Sequence, residues 1–144
     1  MNTPKHTTHI VHLSHLDMYR VYCDQGCDLR LPEIVVLCGS TRFVEAFAEA
    51  NQRLTHQGKI VLTVGSFVRW QDEPDPEAAY AELQSVKAML DALHKRKIDL
   101  ADRALILNVG GYIGETTRDE IAYAFHRGIP IEFLEPLAPG EPAT

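Results

Sequence analysis

A glutamate stands where an apolar run gives way to a helical pattern. Residues 108–124 read NVGGYIGETTRDEIAYA, follow the run ALIL, and contain three glycines, two threonines and Glu120. A connection between a strand and a helix needs only a few residues and little glycine. The segment is therefore richer in glycine and hydroxyl groups than packing requires, and Glu120 is a candidate chemical group.

Glu120 also fits a purely structural role. Thr117 and Glu120 match a capping box, in which the glutamate turns back to the first helical amides. Thr116 and Asp119 match the same motif, and that alternative leaves Glu120 free. A carboxylate near the positive end of a helix is expected to stay ionised, which a nucleophile requires.

A second polar loop, CGSTR, follows the run IVVLC. Gly39 would let the backbone approach a ligand, and Ser40, Thr41 and Arg42 would add hydrogen-bond donors at a helix N-terminus. Such a site suits a phosphate or sugar hydroxyl groups. In the alternative, Ser40 or Thr41 caps the helix and Arg42 points to solvent.

Strands and helices alternate from Pro32 onward. The apolar periods predict strands at 34–38, 60–64, 104–109 and 129–134, and helices at about 42–57 and 117–127. A long helix between the second and third strands has a predicted apolar face of Ala79, Leu83, Val86, Leu90 and Leu93. The last helix has a predicted core face of Ile121, Ala124 and Phe125. This alternation predicts an α/β, flavodoxin-like (Rossmann-like) doubly wound parallel sheet of order 2-1-3-4, with helices on both faces.

The predicted strand order forms a crevice. The first and third strands lie side by side, and their following connections leave in opposite directions at the carboxyl ends. These connections are CGSTR and NVGGYIGETT. The topology therefore brings the two most polar loops into one pocket.

Length and composition describe an ordinary globular chain. The 144 residues are 45% hydrophobic and 24% charged, with a net charge of -6. We expect an N-terminal appendage (1–31), one domain (32–136) and a frayed tail (137–144). The negative charge disfavours a nucleic acid polymer, no apolar run approaches the roughly 18 residues of a membrane span, and no signal peptide is recognisable. These features predict a cytoplasmic protein without a membrane partner.

The cysteines offer a second kind of chemistry. Cys23 and Cys27 follow His9, His12 and His15, so a zinc site competes with a plain surface extension. The usual paired-ligand spacings are absent. Cys38 ends an apolar run and is predicted to lie in the core.

The motifs GSTR, KIDLAD and TRDEIAYAFHRGIPI, spread over residues 33–135, resemble the nucleoside 2-deoxyribosyltransferase superfamily, which includes 2′-deoxynucleoside 5′-monophosphate N-glycosidases. The resemblance implies that Glu120 attacks the anomeric carbon. It implies that Gly114, with Thr116 and Thr117 nearby, contacts the 5′ side of the sugar. It also implies that Ser40 and Arg42 contact the phosphate.

Two positions depart from the family pattern. His94 stands where the family has an aspartate, and Asp91 lies one helical turn away. An aliphatic residue, at about Val36, replaces a tyrosine. The predicted catalytic residues are therefore Glu120, His94 and Asp91. Trp70 would either stack on a base or anchor the core.

The sequence thus predicts cleavage or transfer of an N-glycosidic bond in a nucleoside or its 5′-monophosphate, without cofactor or metal. The alternatives are a nucleotide-binding sensor without turnover and an N-glycosidase acting on NAD. The resemblance implies a homo-oligomer, a dimer or a tetramer. The predicted substrate-binding residues are Gly39, Ser40, Thr41, Arg42, Trp70, Asn108, Gly111, Tyr112, Gly114, Thr116 and Thr117.

Overall fold

The computed structural model describes residues 32–65 and 70–137 of the chain. Contacts along the chain divide it into two units, Met1–Leu31 and Pro32–Thr144. All described residues belong to the second unit.

Some sequence predictions lie outside the described residues. They are the N-terminal appendage, with its histidines and Cys23 and Cys27, and the tail beyond Leu137. The side chain of Trp70 is also outside this part of the chain. The choice between base stacking and a core position for Trp70 therefore stays a prediction.

The described unit is built on a four-stranded parallel sheet. Its strands are β1 (Ile34–Cys38), β2 (Ile60–Leu62), β3 (Arg103–Ile106) and β4 (Ile131–Phe133). Their order is β2-β1-β3-β4, and every neighbouring pair is parallel. The predicted flavodoxin-like α/β sheet of order 2-1-3-4 is confirmed.

Three helices cover the sheet: α1 (Val44–His56), α2 (Pro76–Leu100) and α3 (Glu115–His126). Successive side chains of a strand point to opposite faces of the sheet, so an apolar run such as IVVLC has two buried faces. One face packs Val35 and Leu37 against α1 through Phe47, Ala50 and Leu54. The other face packs a second cluster, which draws on α2 and α3 and consists of Val36, Cys38, Ile98, Ala101, Ala104, Ile106, Ile121 and Ala124.

Most elements are shorter than their predicted ranges. β2 ends two residues early and β3 ends at Ile106, because the chain leaves the sheet to form the loops at its carboxyl edge. The sequence KIDL, predicted as a connection, continues α2 to Leu100. Within the described ranges, no helix combines the length and apolar character needed to cross a membrane.

The predicted core face of α2 is only partly correct. Leu93 is 50% exposed, whereas His94 and Ile98 are buried. Of the predicted apolar face, Leu83, Leu90 and Leu93 line the crevice described below, whereas Ala79 and Val86 do not. Periodicity indicates which face of a helix is apolar, but a groove and a core give the same period.

The start of α3 differs from both capping predictions. Gly114 is the N-cap, Glu115 is the first helical residue, and no side chain caps the helix. Both proposed capping boxes are therefore wrong, and Glu120 lies in the second turn. Phe125, predicted to face the core, is 59% exposed, whereas Ile121 and Ala124 are buried.

The end of β4 is held by one buried amide. The side chain of Asn108 donates to the carbonyl oxygen of Glu135 and accepts from its backbone N–H, both at 2.9 Å. Asn108 is fully buried, so no water can replace these two bonds. The residue joins the exit of β3 to the segment after β4.

We expect Asn108→Ala to lower the free energy of unfolding by about 1–3 kcal/mol, because the half-buried backbone groups of Glu135 lose their partners. Urea unfolding followed by circular dichroism measures the change. Asn51→Ala, at an exposed position of α1, is the matched control and should change stability by less than about 0.5 kcal/mol. Equal losses in the two variants would contradict the structural role of Asn108.

Candidate active site

A crevice of about 400 Å³ opens at the carboxyl edge of the sheet. It lies where β1 and β3 are neighbours and their connections lead to different helices, the usual ligand position in doubly wound sheets. Its walls are the loop after β1, the loop before α3, and one face of α2. The lining residues include Gly39, Ser40, Thr41, Asp91, His94, Lys97, Tyr112, Gly114, Thr116, Thr117 and Glu120.

Glu120 lies on the crevice wall but is only 7% exposed. The helical period places it on the same side of α3 as Thr117 and Ala124, which are both buried. Its Oε2 atom is buried and has no hydrogen-bond partner in the described structure. A carboxylate oxygen in this state is rare, because buried polar atoms normally have partners.

His94 approaches Glu120 from α2. Its Nε2 atom lies 3.8 Å from Oε1 of Glu120, and the imidazole is 6% exposed. The same Nε2 atom lies 3.5 Å from Sγ of Cys38, the last residue of β1. Three elements therefore bring a carboxyl, an imidazole and a thiol together beneath the crevice.

Burial controls the ionisation of Glu120. Desolvation, with the nearby charge of Asp91, raises the pKa of Glu120 to about 7, although contacts with Cys38, Lys87 and Lys95 oppose the shift. The expectation of a permanently ionised carboxylate is wrong, because Glu120 lies past the first turn and in a dry environment. The group instead exchanges its proton near neutral pH.

Burial also favours the neutral forms of the two neighbouring groups, His94 and Cys38. It lowers the pKa of His94 to about 4, with a further decrease from Lys97. It also raises the pKa of the Cys38 thiol well above its ordinary value, helped by the charge of Glu120. The 3.8 Å contact between His94 and Glu120 is therefore not an ion pair at pH 7, because the imidazole is neutral.

The loop after β1 brings Gly39, Ser40 and Thr41 to the crevice. Neither hydroxyl caps α1, whose N-cap is Phe43 without a side-chain hydrogen bond. A Cβ at position 39 would lie 3.1 Å from Cβ of Leu107. Gly39 thus permits close packing of this loop on the end of β3, in addition to lining the pocket.

Arg42 lies beside Tyr112 and is not one of the crevice-lining residues. Its guanidinium lies 4.2 Å from the centre of the Tyr112 ring and donates to the tyrosine hydroxyl at 3.3 Å. Tyr112 does line the crevice, and its hydroxyl would lie 3.2 Å from a Cβ at position 114. Gly114 therefore lets the tyrosine fold over the start of α3.

The other predicted site residues divide into two groups. Thr116, Thr117 and Asp91 line the crevice, and Asp91 is paired with Lys87 at 2.7 Å. Asn108 and Gly111 do not line it. Asn108 holds Glu135, and Gly111 is an exposed residue with a positive φ of 77° in the turn after β3.

No family model, curated protein or solved structure matches this chain. The chemistry of the crevice residues must therefore carry any functional assignment.

Sequence reasoning missed the part that Cys38 plays in the site, and it missed several residues that line the crevice. Cys38 was predicted as core and is indeed buried in it, yet its thiol also meets His94 and Glu120. The available signal was position, because the last residue of a central strand borders the crevice. The missed residues that line the crevice are Val64, Gly65, Tyr80, Gln84, Lys87, Lys97 and Glu115.

We expect Glu120→Gln to remove the part of the pH dependence of stability that comes from the titration of Glu120. The pKa of Glu120 is raised in the fold, so its stabilising contribution is complete below about pH 4.5 and is lost as pH rises through about 7. Glutamine has no proton to lose, so the stability of the variant relative to the parent should increase by about 3 kcal/mol between about pH 5 and pH 8. Urea unfolding across this range measures the difference.

His94 contributes the opposite slope, since its pKa is lowered: its stabilisation is present above pH 6.5 and is lost as pH falls through about 4. The Glu120→Gln variant keeps the contribution of His94 and lacks the opposing contribution of Glu120. The free energy of unfolding of this variant should therefore fall toward acid pH. Asp119→Asn removes an exposed carboxylate of the same helix and serves as the control. A stability difference between Glu120→Gln and parent that does not vary with pH would contradict the burial argument.

Proposed function

We propose that the protein cleaves or transfers the N-glycosidic bond of a nucleoside or, preferentially, a nucleoside 5′-monophosphate, with Glu120 as nucleophile. The observation that carries the proposal is a buried carboxyl on the crevice wall with one unpartnered oxygen, next to two hydroxyl-rich loops. This is the chemistry that the resemblance to nucleoside 2-deoxyribosyltransferases implies.

The proposed reaction has two steps. The carboxylate of Glu120 attacks C1′ of the sugar, the C1′–N bond breaks, and its electron pair leaves with the base. Water or a second base then attacks C1′ of the glycosyl ester and releases Glu120, so the configuration is retained overall. No cofactor takes part in either step.

The raised pKa of Glu120 suits this role at neutral pH. A basic, poorly hydrated carboxylate is a stronger nucleophile than an exposed one, and about half of the molecules carry it at a pH equal to the pKa. His94, whose pKa is about 4, is neutral at pH 7 and does not supply a proton as an imidazolium. Asp91, the other predicted catalytic residue, lines the crevice and is paired with Lys87.

The polar loops supply the contacts that a phosphorylated sugar needs. Ser40 and Thr41 offer hydroxyls from one loop, and Thr116 and the amides at the start of α3 offer donors from the other. Lys87 and Lys97 add positive charge to the lining. The volume of about 400 Å³ lies in the range of small-molecule sites.

The proposal includes a homo-oligomer, a dimer or a tetramer. Tyr80 and Leu93 line the crevice on α2 and are large, partly apolar and exposed. A second copy of the chain would cover them and close the pocket. A cytoplasmic location, where nucleotides are abundant, completes the proposal.

The neutral imidazole favours one alternative, a nucleotide sensor that binds without turnover. A site that lacks a strong proton donor for the departing base holds its ligand more readily than it cleaves it. Incubation with a panel of nucleosides and monophosphates, followed by chromatography, separates the two functions. Free base indicates the enzyme; an unchanged nucleotide that raises the melting temperature indicates the sensor.

We expect Glu120→Gln to bind substrate but to release base several orders of magnitude more slowly, because the amide keeps the size of the side chain and loses its attacking charge. With a 2′-fluorinated substrate analogue, which slows breakdown of the glycosyl-enzyme, mass spectrometry should find the sugar on the peptide that contains Glu120. Asp119→Asn, an exposed change one residue earlier, should retain turnover.

The same assay against pH tests the protonation state. Base release by the parent enzyme should rise with pH through about 7, because only ionised Glu120 attacks. Label on a different carboxylate, or turnover by Glu120→Gln close to that of the parent, would rule out Glu120 as the nucleophile.

We expect Arg42→Ala to weaken monophosphate binding by about 1.5–3 kcal/mol and nucleoside binding much less, since the guanidinium lies at the edge of the hydroxyl loops. Tyr112→Phe removes the hydroxyl partner of Arg42 and keeps the ring beneath it, and is the matched control. Calorimetry with both ligands measures the effect. An equal loss for nucleoside and monophosphate would show that Arg42 only supports Tyr112.

A further inference from the structure

Three side chains with different metal-ligand chemistry meet beneath the crevice. Cys38 comes from the end of β1, His94 from α2 and Glu120 from α3, and we call them the thiol–imidazole–carboxyl cluster. One ligand atom from each residue lies within 4.8 Å of the other two, and all three residues are buried. Among the described residues this is the one such group that includes a thiol and an imidazole.

The spacing fits a tetrahedral zinc ion. Zinc binds sulfur at about 2.3 Å and nitrogen or oxygen at about 2.0–2.2 Å, so tetrahedral angles separate neighbouring ligand atoms by about 3.3–3.6 Å. Sγ of Cys38 lies 3.5 Å from Nε2 of His94, and that nitrogen lies 3.8 Å from Oε1 of Glu120. The sulfur of Cys38 and the carboxyl oxygen of Glu120 lie within 4.8 Å of each other, so side-chain movements of about 1 Å would bring all three ligand atoms to tetrahedral separations.

The donor set also selects the metal. Magnesium and calcium prefer oxygen ligands, whereas one sulfur, one nitrogen and one oxygen suit zinc and its spectroscopic substitute cobalt. A buried thiolate and a buried carboxylate together balance the charge of a divalent cation. Burying three polar groups is otherwise costly, because they do not satisfy one another fully.

An unpartnered atom supports this assignment independently of the spacing. Oε2 of Glu120 and Nδ1 of His94 are buried without hydrogen-bond partners in the described structure. A cation bound to the carboxylate would supply the partner that Glu120 lacks. Nδ1 of His94 would face away from a metal on Nε2.

We propose that Cys38, His94 and Glu120 bind one zinc ion, with its fourth coordination position open to the crevice. His94 and Glu120 line the crevice, and Cys38 lies below them with no exposed surface. The ion enters from the crevice, the thiol proton is released to solvent, and so is the proton of Glu120 where it is present.

Zinc bound to Glu120 inhibits the proposed reaction and so regulates the site. This consequence rests on the proposed function. Coordination to zinc withdraws negative charge from the carboxylate of Glu120 and holds the side chain beside Cys38 and His94, so the bound metal weakens the attack on C1′ and inhibits glycosidic cleavage. The ion is therefore an inhibitor of the proposed reaction and not its cofactor. Removal of the metal by a chelator restores the nucleophile.

Cobalt titration of the full chain tests the metal site without any assay of activity. The N-terminal cysteines are removed first, because Cys23 and Cys27 are competing thiols near several histidines. The Cys23→Ser/Cys27→Ser protein should bind one cobalt ion per chain and show the thiolate-to-cobalt charge-transfer band and the intense visible bands of a tetrahedral site. Zinc should displace the cobalt, and excess magnesium should not.

Three further changes in that background locate the ligands. Cys38→Ala should abolish the charge-transfer band, and His94→Gln and Glu120→Gln should each weaken cobalt binding at least about a hundredfold, since removal of a direct ligand costs no less than removal of an outer-shell partner. Circular dichroism and melting temperature establish that each variant is folded. If Cys38→Ala does not fold, the other two variants decide, because the thiolate band must then weaken without loss of a cysteine.

The outcomes are exclusive. Three results would overturn the metal site. They are a band that persists in Cys38→Ala, a band that is absent from Cys23→Ser/Cys27→Ser, and unchanged cobalt affinity in the His94 and Glu120 variants.

The inhibition by zinc has its own test. Base release with and without equimolar zinc is compared within each protein. The rate with zinc should be at most about one tenth of the rate without zinc in the Cys23→Ser/Cys27→Ser protein, and the two rates should be nearly equal when Cys38→Ala is added. Cobalt binding without turnover contradicts only the proposed function, whereas turnover unaffected by bound zinc overturns the inhibition.

Discussion

The parallel pairing of β1 with β3 is the constraint on which the rest of the described unit depends. It sets Cys38 opposite Ile106, so both strands end at the same edge of the sheet. The loop that follows each strand must then begin within a few ångströms of the other. Gly39 shows how close this approach is, because even one methyl group at that position would press on Leu107. The crevice is a direct result of this pairing and of the opposite directions in which the two chains leave.

The same strand pairing leads to burial of an ionisable group, and the fold does not compensate for the desolvation of that group. Glu120 is carried into the apolar layer by Ile121 and Ala124, its neighbours on α3. Its carboxyl loses water and gains no strong donor, so its pKa rises by an amount equivalent to about 3 kcal/mol at high pH. A structural glutamine would avoid this cost. A carboxyl group at this position destabilises the fold locally, as is common at functional sites. The rest of the core must offset that loss of stability.

The sequence predicted the sheet well because buried parallel strands have an unambiguous signature. IVVLC and ALIL are apolar on both faces, and two polar loops follow them at the positions where topology forms a pocket. Glu120 and the GSTR loop were found in this way, whereas His94 was named only through the family resemblance. Helix starts were predicted less well, since two overlapping capping boxes competed and the backbone uses neither.

The environment of each side chain was the part that sequence could not give. His94 begins the charged run HKRK, yet α2 buries its side chain while that of Arg96 is exposed. Arg42 was placed near a phosphate, but its tyrosine partner lies 70 residues away in the chain. Burial and long-range pairing set the pKa values, and neither is encoded in local spacing. For the same reason Cys38 was predicted as core packing alone.

One contact outside the crevice links the helices that carry the two titrating groups. Asp99 of α2 accepts hydrogen bonds from the hydroxyl of Tyr123 on α3 at 2.9 Å and from Nε of Arg127, which directly follows α3, at 2.8 Å. His94 and Glu120 lie on these same two helices, so the distance between the imidazole and the carboxyl depends on how the two helices pack against each other. Asp99 therefore ties α2 to the C-terminal end of α3 at a point outside the crevice, one to two turns from His94 along α2.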